Sequence, residues 1–529
     1  MNAKTDSGTP PKTDHPSLPD TLEEKTIVNR LTSATIEGVD ARVIEIEATF
    51  TKGLPGFTIV GLAGNDIQEA KERTKAALLT NGFVFPPLRI TISMAPSELK
   101  KRGSQMDLSI ALLIALNKVR IDEEGLFVFG ELGLDGRVKS SAMLFPLILS
   151  LREQGLIRRA IVPADALEHL SHISGVDFYP VETLIEAISL VKEKRFERKM
   201  THFEYDAESI EIEGKPYYYE QSYPHDFKEV KGQPIAKRAA LIAAAGMHNF
   251  FMEGSPGCGK SMIAKRIGHI LPPLSEEEIL SIAKHQFLDG TTPSFRAKRP
   301  VRSPHHTATS ASIFGGGSSQ ARIGEVALAD KGVLFFDEVP HFAKGVLEAM
   351  REPLQDRRVL ISRVNAKISY AADVTFIAAQ NPCPCGNLLS QTKACRCSDV
   401  EIKRYRNKLS DPFLDRIDLF VVMQEISSDD RGDITSAQMH EQVIEAFVRQ
   451  KKRHQPNLNG KLTEEEIETY CRLDDEATKI LESAVSRFAL THRSIASIKK
   501  VSRTIADLAG HDMIEKSDLL EALSFRRRQ

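Results

Sequence analysis

The run Gly254-Ser255-Pro256-Gly257-Cys258-Gly259-Lys260-Ser261 has the residue types and spacing that hold a triphosphate. Its glycines let backbone N–H groups curl around phosphate oxygens. Lys260 can reach the β and γ phosphates, and the Ser261 hydroxyl suits Mg²⁺. Cys258 reads as a small filler inside the loop. Binding alone does not hydrolyse ATP, and "KGVLFFDEVPHF" supplies acids at the end of an apolar run. There Asp337 would take Mg²⁺ through water, and Glu338 would orient and deprotonate the attacking water. A third polar group, Asn381, ends "DVTFIAAQNP". Alone, an Asn before Pro is a turn residue. In this order it reads as a sensor of the γ-phosphate.

Directly after Asn381, four of the six cysteines fall between Cys383 and Cys397. Cys383, Cys385, Cys395 and Cys397 supply four soft ligands, enough to close a tetrahedral structural Zn²⁺ site with no open position for catalysis. Pro384 and Gly386 suit the tight turns that C-x-C ligation needs. Four unligated thiols or regulated disulfides are the alternatives. A zinc-stapled loop here would set how the sensor and the segment downstream of the cysteines present themselves.

These residues need elements to position them. "NFFME" is a strand leading into the glycine-rich loop, and a helix comes after it; "VLFF" and "VTFIAAQ" are further buried strands. From Thr26 to Lys194 strand-like stretches ("ARVIEIEATF", "LRITISMAP") alternate with helical ones ("DIQEAKERTKAALLTNG", "DLSIALLIALNK"). The organisation read from this is an arm at 1–25, an α+β domain at 26–194, and a tyrosine-rich linker at 195–227 with at most one short strand. An α/β nucleotide core at 228–430 and a helical lid at 431–529 complete it. The arm is rich in Pro, Ser and Thr with no apolar core, which excludes a signal peptide and suggests disorder. No apolar stretch reaches the ~20 residues that span a bilayer. The expected compartment is the cytoplasm, where thiols stay reduced. With 70 basic and 72 acidic residues the net charge is −2, so any affinity for nucleic acid must come from local patches.

Two such patches exist. Arg296, Lys298, Arg299 and Arg302 precede "SPHHTATSASIFGGGSS", and "EIKRYRNK" carries Arg404, Tyr405 and Arg406. Either suits phosphate contacts, with Tyr405 available for stacking. Each is equally readable as a solvated face.

The loop "GSPGCGKS", "LFFDE", "AAQNP" and the lid segment "THRS" together resemble the AAA+ ATPases, and within them the magnesium-chelatase-like branch and the competence protein ComM (YifB) family. "RSPHHTATSASIFGGG", "LSDPFLDRIDL" and "VSRTIADLAG" carry the same resemblance, which covers nearly all the chain beyond the arm. It implies an AAA+ P-loop core with a helical lid. It further implies that Arg416 is an arginine finger reaching ATP on a neighbouring subunit and that Arg493 senses the γ-phosphate. A finger acting in trans requires an oligomer, and family members form hexamers. On the residues alone, Arg416 could instead pair with Asp415 or Asp418.

Residues 26–194 resemble the Lon proteolytic domain through "ISMAPSELKKRGSQMDLSIALLIAL" and "FVFGELGLDGRVKSSAMLFPLIL". Lon-type enzymes use a Ser activated by a Lys. The corresponding positions here are Gln105 and Phe145; Ser104 and Lys139 are nearby but out of register. Three readings are open: a ring-forming ATP-driven DNA motor, which the ComM resemblance implies through branch migration and unwinding in natural transformation; a chelatase-type motor that remodels a protein; and an ATP-dependent protease, which the absent dyad disfavours.

Overall fold

A computed structural model describes residues 29–61, 65–101, 103–121, 125–196, 205–316, 322–362, 367–427 and 430–527. The arm at 1–25 lies outside these residues.

The N-terminal part is built on a seven-stranded mixed sheet. Its strands are β1 (Asn29–Glu37), β2 (Asp40–Thr51), β3 (Gly56–Val60), β4 (Arg89–Ala95), β5 (Leu126–Val128), β6 (Arg159–Pro163) and β7 (Asp177–Val181), in the order β3-β4-β2-β1-β5-β6-β7. Alternation in β2 and β4 sends Ile44, Ile46, Ile90 and Ile92 to one face, where the helix Asp107–Ala115 packs. That helix is buried from Asp107 to Ile114 and apolar apart from Asp107, paired with Arg73, and Ser109, which donates to the Val128 carbonyl. The opposite face, with Phe127 and Phe129, is covered by the helix Leu144–Glu153.

The tyrosine-rich segment, read from sequence as a linker with at most one strand, contains a hairpin of β8 (Glu208–Ile212) and β9 (Lys215–Tyr219). It is fastened to the core by reciprocal backbone hydrogen bonds between Tyr218 and Leu274, 2.8 Å each. Three consecutive tyrosines, Tyr217 to Tyr219, hold a strand when neighbours accept their rings, here Phe447 against Tyr217 and Tyr205 against Tyr218.

The nucleotide core is a five-stranded parallel sheet: β10 (Phe250–Glu253), β11 (Val301–Arg302), β12 (Val333–Phe336), β13 (Thr375–Gln380) and β14 (Leu419–Val422), ordered β11-β12-β13-β10-β14. β12 and β13 are buried throughout, which is why β12 and the centre of β13, Phe376 to Ala379, read as unbroken apolar runs. Two short hairpins stand beside the sheet, 315–316 with 322–323 and 358–362 with 367–371. They touch, since a Cβ on Gly315 would meet Ile361 Cδ1 at 2.8 Å.

The C-terminal helices Ser436–Lys452, Glu464–Tyr470, Asp475–Phe488, His492–Ala509 and Lys516–Ser524 join the core through one continuous apolar cluster. Side-chain caps at Thr435, Thr463, Asp474 and Thr491 start four of them. No helix among the described residues is long and apolar enough to cross a membrane.

The N-terminal part and the core are not separate bodies joined by a string. The helix Glu276–Asp289 inserts Leu280 and Ala283 into the apolar cluster of the N-terminal sheet. Phe145 stacks on Phe287 at 4.8 Å and meets Phe295 edge-on at 5.3 Å, while His172 lies flat on Phe295 at 3.7 Å.

Candidate active site

Parallel strands deliver their C-terminal ends to one edge of the sheet, so β10, β12 and β13 bring the glycine-rich loop, Asp337 and Asn381 together. Gly257 and Gly259 take φ of 83° and 97°, conformations that a side chain would strain. Gly254 is small for another reason: a Cβ there would come 2.7 Å from Cys258 Sγ. Cys258 is buried, and burial pushes its thiol up, leaving it an inert filler.

Lys260 Nζ folds back over the loop. It donates to the Gly254 and Ser255 carbonyls at 2.7 and 3.0 Å and to Asn381 Oδ1 at 3.1 Å. The Ser261 hydroxyl donates to Asp337 Oδ2 at 2.7 Å. A hydroxyl beside a carboxylate, at the mouth of a phosphate loop, fits Mg²⁺ held by one protein oxygen and water, the arrangement that this reluctantly dehydrated ion prefers. When bound, the metal would neutralise charge on the β and γ phosphates.

Glu338 comes next with φ 51°, a left-handed conformation that costs a non-glycine residue roughly 1 kcal/mol or more. The strain is held by its carbonyl, which accepts from His341 N at 2.8 Å, and by its own N–H, which donates to Asp337 Oδ1 at 2.9 Å. The result turns the Glu338 carboxylate outward, 53% exposed, with His306 Nδ1 3.9 Å away.

The four cysteines converge. Sγ–Sγ separations are 3.5 Å (Cys383–Cys385), 3.7 Å (Cys383–Cys395) and 3.6 Å (Cys385–Cys395), and with Cys397 all four sulfurs lie within 4.8 Å of one another. A tetrahedron of Zn–S bonds near 2.3 Å has edges of about 3.8 Å, so the set fits zinc. Backbone N–H groups of Arg396 and Asn387 hold the Cys385 thiol down to about 6, while burial and the neighbouring sulfurs push Cys395 and Cys397 up, so without a cation the cluster favours a single thiolate. The loop rests on the phosphate loop: a Cβ on Gly386 would lie 2.6 Å from Pro256 Cδ.

Arg416 and Arg493 come together on Gln355. Arg416 Nη2 donates to Gln355 Oε1 at 2.6 Å and Arg493 Nη2 to the same atom at 3.1 Å. The rest of the Arg416 guanidinium goes to the Arg351 carbonyl at 3.0 Å and to the Pro412 carbonyl. Among the described residues no carboxylate lies within 4 Å of it, so the alternative pairing with Asp415 or Asp418 is not made. Asp418 instead accepts from the backbone of Asn249 and from Ser497. Burial, then Arg493 and Arg351, push the Arg416 guanidinium below its ordinary value.

The proposed nucleic-acid contacts fare differently. Arg299 is buried, donating to the Pro272, Pro273 and Lys331 carbonyls and to Glu278, so it has no face left for a phosphate. Arg296 is paired two-pronged with Glu220, and Arg302 with Glu325. Lys298 alone of the four is exposed without an acidic partner among the described residues. Tyr405 is buried beside the Asn381 backbone and not free to stack on a base, and burial pushes its hydroxyl up to about 12. Arg406 pairs with Glu253 at 3.2 Å, while Arg404 is exposed.

Sequence reasoning missed Gln355, Asn249 and His306. Asn249 donates to the Arg416 carbonyl at 2.8 Å and accepts from Phe376 N at 2.9 Å, tying the Arg416 segment to β13. Its signal was a lone Asn before an apolar strand, which reads as a turn. Gln355 offered none.

In the N-terminal part, Gln105 is buried and donates to the Ala34 carbonyl at 3.1 Å. Phe145 is an interdomain anchor, and the Ser104 hydroxyl is bonded to Glu131. Neither position offers a nucleophile with a base.

Fold and site define a magnesium-chelatase-type AAA+ ATPase, which uses ATP and Mg²⁺. Three family models agree: magnesium chelatase, subunit ChlI, over 226–431; subunit ChlI of Mg-chelatase over 46–166; and the subunit ChlI C-terminal model over 433–526. The chain is 36% identical over 500 residues to competence protein ComM of Haemophilus influenzae, covering 92% of this chain and 95% of that one. It is 36% identical over 506 residues, with the same coverage, to the uncharacterized protein YifB of Escherichia coli. More remotely, it is 22% identical over 415 residues to DNA replication licensing factor MCM7 of Oryza sativa, covering 72% of this chain and 53% of that protein. The chain belongs to the ComM/YifB family.

Proposed function

We propose that the chain is a ring-forming, ATP-driven DNA motor that unwinds or branch-migrates DNA, with a role in competence. The observation that carries the ring is the Arg416–Arg493 pair, two exposed or half-buried guanidiniums that share a neutral acceptor and, among the described residues, have no carboxylate within 4 Å. Cations left in that state suit an anion brought by another molecule, and the γ-phosphate on a neighbouring subunit is one. In this reading Glu338 activates water, Lys260 and Asn381 grip the γ-phosphate, Ser261 and Asp337 hold Mg²⁺, the four cysteines hold structural zinc, and six subunits close the ring. DNA as the polymer is supported by the relatives' names, competence protein and DNA replication licensing factor. Lys298 and Arg404 are the remaining contact candidates. The N-terminal part, Lon-like in sequence but without a dyad, serves as a docking domain.

One observation favours a second reading, a motor that remodels a protein: Arg296, Arg299 and Arg302 are neutralised by Glu220, Glu278 and Glu325. ATP turnover measured with single-stranded DNA, branched DNA, casein or no addition separates the two. Stimulation by DNA, weakening steeply with salt, supports the motor. Turnover indifferent to DNA at low salt moves the protein reading ahead.

A further inference from the structure

A cavity of about 450 Å³ lies at the opposite edge of the five-stranded sheet from the phosphate loop. Lys331 and Asp373, which immediately precede β12 and β13, form its floor; Tyr217 of β9 and Phe447, Lys451 and Lys461 of the lid form its walls. Its volume and its seat between three structural units are those of a small-molecule site.

The charges inside do not cancel. Arg299 is matched by Glu278 at 3.1 Å, and Lys331 by Asp373 Oδ2 at 3.0 Å. Lys461 Nζ donates to the Val374 carbonyl at 2.6 Å and stands 3.9 Å from Asp373 Oδ1, a buried oxygen that accepts no hydrogen bond. Lys451 has no carboxylate within 4 Å among the described residues; its Nζ lies 5.5 Å over Phe447 and 5.9 Å over Tyr217. Those two rings meet edge-on at 5.1 Å. Burial holds both ammoniums below their ordinary value, Lys461 to about 8, although Asp373 and Asp418 act on Lys461 and Glu278 on Lys451, so neither charge is fully offset. Glu276 and Glu277 at the rim add negative charge, which disfavours a triphosphate.

We propose that this cavity is a second ligand site, separate from the ATP site, for a small monophosphate ester with a planar ring, the nucleoside-monophosphate class. Lys451 and Lys461 take the phosphate, Tyr217 and Phe447 face the ring, and Asp373 Oδ1 accepts from a ring amino or imino group. A ligand there bridges the hairpin, the core and the lid. The assignment does not depend on what polymer the protein acts on.

The test is calorimetric titration of the full-length Lys260→Ala protein, whose phosphate loop is disabled, with AMP, GMP and inorganic phosphate. One nucleotide per chain should bind, with inorganic phosphate at least tenfold weaker. Lys451→Met keeps the side-chain volume and should weaken binding at least tenfold, whereas Lys451→Arg should retain it. Absence of nucleotide binding at millimolar concentration, or binding unchanged in a folded Lys451→Met protein, overturns the proposal. Inorganic phosphate binding as tightly as the nucleotides overturns the role of the rings.

Discussion

Arg416 and Arg493, one before the last core strand and one at the start of a lid helix, donate to a single atom, Gln355 Oε1, at 2.6 and 3.1 Å. Lid and core thus present one guanidinium pair, on the proposal to the same neighbouring γ-phosphate. Arg416→Ala and Arg493→Ala should each assemble with ATP yet turn over at least tenfold more slowly. Mixing Arg416→Ala with Glu338→Gln subunits should restore part of the rate, because each supplies what its neighbour lacks. Co-assembled mixtures that stay inactive would refute action in trans.

Within one site, Glu338→Gln should bind ATP and hydrolyse it roughly 10³-fold more slowly. Lys260→Ala should instead weaken nucleotide binding, since its ammonium is the charge in the loop. Single-turnover hydrolysis beside filter binding separates the two effects. Near-wild-type turnover of Glu338→Gln would remove that residue from the chemistry.

Purified protein should contain one Zn²⁺ per chain, and Cys383→Ser or Cys395→Ser should lose it. Because Gly386 bears on Pro256, Gly386→Ala should raise KM for ATP while the zinc is retained. A zinc-free, fully stable wild type with four titratable thiols would end the metal assignment.

His172, flat on Phe295, titrates near 4 in the fold against 6.5 ordinarily, chiefly through burial and also through His169. The unfolded chain therefore takes up a proton that the fold refuses as pH falls from about 6.5 to about 4. Stability should be flat in this respect above 6.5 and decline through that window. His172→Phe should flatten the decline in thermal melts between pH 7 and pH 5. An identical slope in the variant would show that His172 does not report on the docking.

The residues of the ATP site are legible in the sequence because each is local. A phosphate loop is a strand, a turn and a helix in succession, and β12 and β13 declare themselves as apolar runs ending in Asp337 and Asn381. The cysteine spacing likewise announces a ligand set. The basic run at 296–302 misleads, because composition records that Arg299 and Arg302 are cations but not that Glu278 and Glu325 lie opposite them. Tyr405 misleads for the same reason: an aromatic between arginines looks exposed until the helix is packed against Asn381.

The sequence by itself therefore determined the chemistry that needs only neighbours in the chain: phosphate cradle, acidic pair and thiol set. Only the tertiary structure decided what those groups face. It turned Phe145 into an anchor between two parts of the molecule, set Gly386 against Pro256, and joined Arg416 to Arg493 through Gln355. It also enclosed Lys451 and Lys461 in a cavity that no stretch of sequence contains. The physical reason is that charge and burial depend on distance in space. Backbone propensities act over a few residues, whereas an ion pair or a cavity is closed by segments hundreds of residues apart.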